Sequence, residues 1–147
     1  MRLFGMMLVV VFAGLMLVSG VLGASMVNQA TRELGTATTH AGLAARQDAI
    51  AQIELHLHRV VNCIEGKSGK NYFKESGDVC EGIKGNGLLA DLKDSGMAGA
   101  HALPYAEIAD QVALWGIAQG MAKNIAGAKA AGDATRRILE LAKANFK

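Results

Sequence analysis

The sequence predicts an all-α protein: a single N-terminal transmembrane helix continuing into an antiparallel helical bundle. Three observations carry that prediction. Residues 3–24 are uncharged and apolar, later apolar positions recur at helical spacing, and no useful stretch alternates with period two. The 147 residues are 51% apolar and 19% charged, which suits one modest exported domain, 25–147, behind the leader. Twenty-five alanines and 18 glycines against seven aromatic residues imply a thin, closely packed core.

The leader reads LFGMMLVVVFAGLMLVSGVLGA. As a helix its 22 residues span about 33 Å, enough to cross a hydrocarbon core of roughly 30 Å. Arg2 precedes it and the next charge is Arg32, so the basic end stays in the cytoplasm and the rest faces outward. The rival reading of 1–24 is a signal peptide cut before Ala24, with Val21 and Gly23 as the small residues. The run exceeds the usual apolar core of about 7–15 residues, which favours an uncleaved anchor. The expected location is the inner membrane, single-pass, with the bulk of the chain periplasmic or extracellular. Gln111 to Ala122 is also apolar, but Asp110 and Lys123 bracket it too closely for a second crossing.

Behind the leader, Val27, Ala30, Leu34, Ala37 and Ala41 form one helical stripe. Leu43, Ile50, Ile53, Leu57, Val60 and Ile64 form another, offset by two residues. The pair predicts one long helix with a phase adjustment near Thr38 to Gly42, a stretch weakened by Gly35 and Gly42. Residues 65–103 are glycine-rich and broken. Phe73, Cys80 and Ile83 share one face and Leu88, Leu89 and Leu92 another, predicting two short helices separated by Gly85 and Gly87. Residues 95–103 read as a loop. Pro104 then opens a helix with Glu107 in its first turn. Its buried side is expected to be Ile108, Val112, Trp115, Ala122 and Ile125. Gly132 and Asp133 read as a stop and a cap before a last short helix from Ala134 to Phe146. Within the preceding helix, Gly116 and Gly120 form a GxxxG step expected to pack against a neighbouring helix of the same chain, with an assembly face as the alternative.

Export decides how Cys63 and Cys80 are read. An even pair in a small domain in an oxidising compartment forms a disulfide, and the 16 enclosed residues make that bond worth about 3 kcal/mol. The spacing is neither C-x-x-C nor a zinc pattern, and C-x-x-C-H haem attachment is absent. Of the four histidines, His56 and His58 point about 200° apart on a helix and cannot chelate one ion together. No cofactor and no metal is predicted, and solvated histidines are the preferred reading. The alternative is a non-covalent haem held by His56 or His58 with His101 or His40. No nucleophile elbow, phosphate loop or carboxylate pair stands out, so binding is expected rather than catalysis. A net charge of +2 argues against nucleic acid as partner. Lys67 to Lys74 looks basic and aromatic, but Glu65 to Lys84 balances four lysines with four acids. The stretch 123–147 carries six cations against Asp133 and Glu140, and cations near a helix end are stabilising in themselves.

The order of anchor, stalk-like helix and antiparallel bundle, with AQIELHLHRVVNCIEGKSGKNYFKE at 51–75, resembles the sensory ectodomain of bacterial chemoreceptors. That resemblance implies a dimeric four-helix-bundle module that detects a small molecule or receives a ligand-loaded partner. With the leader 3–24 attaching it to the membrane, a sensing role or an accessory subunit of a membrane complex is expected, with a second copy or a membrane protein as partner. A second resemblance is to type IV pilin-like proteins, through the short basic leader MRLFG, the apolar helix behind it and a later disulfide. It implies a filament or scaffold subunit cut after Gly5. That cut places Val10 at the fifth mature position, where that family usually carries an acid, which ranks this reading second.

Overall fold

The computed structural model describes residue 25 and residues 27–80 and 86–147. The anchor read at 3–24, with its alternative as a signal peptide, lies outside the described residues, as do Ile83 and Gly85. Among the described residues all regular structure is helical, and no helix is long and apolar enough to cross a membrane.

Residues 27–46 form α1 and Ile50–Glu65 forms α2. The expected long helix is therefore two helices, broken at 47–49. The two-residue phase offset in the sequence is the trace of this hairpin, because stripes out of phase cannot share one face of a single helix. Folding back lets both stripes enter one core: Ala30, Leu34, Ala37, Ala41 and Ala44 from α1, and Ile53, Leu57, Val60, Val61 and Ile64 from α2.

Gly66 ends α2 at φ 71°, and its N–H donates to the carbonyl of Asn62 at 2.9 Å. An irregular lobe follows, with one 3-10 turn at Lys74–Ser76. Then come α3 (Leu88–Asp94) and α4 (Met97–Ala100), which occupies part of the predicted 95–103 loop. Helix α5 (Leu103–Met121) has proline in its first turn, as the sequence predicts. Helix α6 runs unbroken from Ile125 to Asn145, with the Asn124 side chain accepting the Gly127 N–H at 3.0 Å as its N-cap. The stop expected at Gly132 is thus displaced to 122–124, where Lys123 takes φ 58°. Gly132 sits in mid-helix because a Cβ there would press on the backbone of Ala41 and Ala45 in α1.

The inward side of α5 also differs from expectation. Ile108, Trp115 and Ile125 are exposed, and Ala106, Ala109, Ala113, Gly116 and Gly120 face inward with Asp110 and Ile117. The reason is distance. Helix α5 packs on both α2 and α6, and only residues without bulk let three backbones approach that closely. Gly116 receives Leu57 from α2 and Ala131 from α6, and Gly120 receives the Glu54 side chain.

Candidate functional site

The end of α2 organises the polar half of the molecule. Cys63 is bonded to Cys80, tying the lobe to the helix. One residue earlier, the buried Asn62 uses its whole amide as a clamp. Its Nδ2 donates to Phe73 O at 2.9 Å, Ser76 Oγ at 3.0 Å and Gly77 O at 3.2 Å, while Oδ1 accepts the Phe73 N–H at 2.8 Å. Two residues past the disulfide, Glu65 accepts the Asn71 backbone N–H at 2.7 Å and its Nδ2 at 2.6 Å. Gly66 and Gly87 then cross backbone to backbone. Both have positive φ, and a Cβ on either would collide with the other strand of chain.

This crossing brings carboxyl groups together that lie far apart in sequence. Glu33 of α1 and Asp91 of α3 are 1% and 0% exposed and face each other. Burial, followed by the Asp91 charge and a hydrogen bond to Asp91, pushes Glu33 up to about 8, so Glu33 is the proton carrier at neutral pH. Burial also raises Asp91, although the Asn86 N–H donates to its Oδ1 at 3.3 Å. Asp110 of α5 behaves similarly beside Glu65, lifted to about 7 by burial first and by the neighbouring carboxylate second. The two pairs differ in how one partner is held. Both Glu65 oxygens are also held by Asn71, whereas Glu33 Oε2, Asp91 Oδ2 and Asp110 Oδ1 have no hydrogen-bond partner outside their own carboxyl pairs. Glu33 also lines a cavity of about 400 Å³ beneath the lobe, together with Asn62, the disulfide, Asn86 and Gly87. Nothing in the sequence around Glu33 or Asp91 announces either residue.

The histidines are distributed differently from the solvated arrangement expected. His56 is buried, and its Nδ1 lies 3.0 Å from Nδ1 of His40 across the α1–α2 hairpin, with the rings stacked at 5.2 Å. Burial, the partner ring and Arg59 push His40 down to about 4. His58, on the other side of α2, stacks on Phe73 at 4.3 Å. His101 is exposed just after α4. The structure thus joins His40 to His56 and leaves His58 and His101 in other surroundings. Among the described residues, no group of three or more His, Cys, Asp or Glu is placed to hold a metal.

A second surface feature lies along α5. With its small residues turned inward, the helix presents Pro104, Ile108, Val112 and Trp115 on its outer side, flanked by Glu107 and Gln111. Ile108 and Trp115 are 52% and 51% exposed. The cations of α6 are largely engaged elsewhere: Arg136 binds Asp133 at 2.9 Å and Glu140 at 2.6 Å, and Arg137 binds Asp133 at 2.8 Å. Compared with family models, curated proteins and solved structures, the chain finds no match in any of the three.

Proposed function

We propose that this chain is a membrane-anchored, exported helical-bundle module that acts by binding, in sensing or as an accessory subunit of a membrane complex, and pairs with a second copy through α5. The observation that carries this reading is the outer face of α5, where an isoleucine and the chain's single tryptophan stand half exposed on one apolar strip. A contiguous apolar strip rimmed by polar groups is the usual mark of a protein contact. A second copy is the occupant that fits. Glu107 is the single charge along the strip, so no oppositely charged partner is selected, and a two-fold contact needs a surface able to face itself. Two copies anchored in the same membrane would also meet at high effective concentration. The Cys63–Cys80 bond supports an oxidising compartment.

Trp115 provides the test, because its emission reports on this face alone. In the full chain in detergent, emission is expected to shift to the blue as the protein-to-detergent ratio rises, in step with cross-linking to a dimer. Ile108→Glu should abolish both while leaving the far-ultraviolet circular dichroism unchanged. Emission and mass that stay monomeric at every ratio would overturn the reading. A shift that follows added lipid rather than protein would also overturn it, in favour of a membrane-surface contact.

A further inference from the structure

We propose that pairing through α5 is governed by one proton held between Asp110 of α5 and Glu65 of α2: copies pair while it is in place and separate once it leaves. This inference rests on the pairing read above and gives its regulation.

Asp110 sits behind the strip. It is turned inward and 4% exposed, while Ile108 and Val112, two residues to either side, belong to the outer face. It hydrogen-bonds Glu65, and its Oδ1 has no partner outside that pair. Two carboxyl groups keep such a bond only while one of them carries a proton. Burial first, and the Glu65 charge second, lift Asp110 to about 7, so the proton is held below neutral pH and lost above it.

Helices α2, α3, α4 and α6 pack on α5. From α2, Glu65 faces Asp110, Glu54 lies against Gly120, and His56, His58 and Arg59 are turned to His40, Phe73 and Ser76. On α6, Lys129 binds Asp48, Asp133, Arg136, Arg137 and Glu140 bind one another, and Lys143 is exposed. Helix α3 brings Asp91, paired with Glu33, and the exposed Lys93 and Asp94, while α4 carries no charge.

Loss of the proton leaves two negative charges in contact, and they repel. Glu65 is not free to retreat. Asn71 donates to both its oxygens at 2.7 and 2.6 Å, Cys63 just before it is bonded to Cys80, and Gly66 just after it is pressed against Asn86 and Gly87. The displacement therefore falls on α5. Its later half is locked, because Gly116 receives Leu57 and Ala131 and Gly120 receives Glu54. Its earlier half meets the core through Ala106 and Ala109, which give up little buried surface by sliding. The turn carrying Ile108 and Val112 thus moves relative to Trp115, and the strip loses the shape that a second copy matches.

The experiment is sedimentation equilibrium on the full chain in detergent at pH 6, 7 and 8. Pairing should weaken about tenfold or more from pH 6 to 8, within the usual range for coupled sites. Asp110→Asn keeps a donor against Glu65 with no proton to lose, so it should pair equally at each pH. Glu33→Gln removes the proton that Glu33 shares with Asp91 and should leave the dependence intact. A second measurement needs no variant. In the dilute, unpaired chain, hydrogen-exchange protection of the 106–112 amides, corrected for intrinsic rates, should fall from pH 6 to 8 while that of 116–121 holds. Unchanged protection at 106–112 would overturn the proposal whether or not Asp110→Asn folds. Pairing that is constant across pH, or a pH dependence that survives in folded Asp110→Asn, would overturn it and leave the pairing standing. Failure to pair even at pH 6 would overturn both.

Discussion

The two halves of α2 are held in opposite ways. Towards its start, Glu54 and Leu57 rest against Gly120 and Gly116 of α5, a seam made by leaving atoms out. Towards its end, Asn62, Cys63 and Glu65 hold a lobe that has little apolar material of its own, by amide hydrogen bonds, a disulfide and a carboxylate that accepts two hydrogen bonds from Asn71. A chain with few aromatic residues thus solves the thin-core problem twice, once by close backbone approach and once by polar and covalent fastening. The first solution is insensitive to redox state and pH. The second depends on both.

The largest effect should come from breaking the fastening. Reducing Cys63–Cys80, or replacing both cysteines by alanine, is expected to cost about 3 kcal/mol in urea denaturation, from the added freedom of the unfolded loop. Proteolysis of the reduced form should begin in the lobe. A loss below about 1 kcal/mol would show that the Asn62 clamp carries the lobe without the disulfide.

Next in size is the response to pH. Glu33 is raised from 4.5 to about 8, so its contribution is complete below pH 4.5 and is lost as pH climbs through about 8. His40 is lowered from 6.5 to about 4, so its contribution is present above 6.5 and is lost as pH falls through about 4. The two oppose each other between 4.5 and 6.5. Above that window Glu33 acts in the same direction as the likewise raised Asp110 and Asp91, and the loss from pH 6.5 to 8 should be about 2 kcal/mol. Glu33→Gln should flatten the alkaline limb and His40→Gln the acid limb in denaturation series across pH. An alkaline limb unchanged in Glu33→Gln would remove the shared proton from the account.

The smallest effects test the seam. Gly132→Val drives a branched side chain into the α1 backbone and should cost about 1–2 kcal/mol. Gly35→Ala, in a helical position with nothing within 4 Å of the added carbon, should instead gain about 0.5–1 kcal/mol from helix propensity. Equal effects at the two positions would show that close approach is not what selects glycine at 132.

Features that depend on nearest neighbours in sequence were the most readable. The apolar stripe of α2 and the proline opening α5 follow from spacing, and the cysteine pair from its even number in a small domain. Bulk misled at α5, because large apolar residues are expected inside and here the alanines and glycines take that place. The GxxxG step at 116 and 120 was the local sign that small residues face a neighbouring helix. Gly132 resembles a terminator for the same reason, since a glycine required for contact has no sequence mark distinguishing it from one that ends a helix. The carboxyl pairs were illegible because Glu33 and Asp91 meet only after the Gly66–Gly87 crossing forms. His56 likewise acquires its burial from a hairpin hidden in the phase of two stripes.

The pairing of α6 with α1 has a practical consequence. Lys129 meets Asp48, Gly132 meets Ala41 and Ala45, and Arg136 reaches Gly42, so the two helices run in opposite senses. A fluorescent tag appended after Lys147 would therefore ride at the pole where residue 27 enters. An epitope inserted at 47–49 or 122–124 would decorate the opposite pole and leave that base unobstructed.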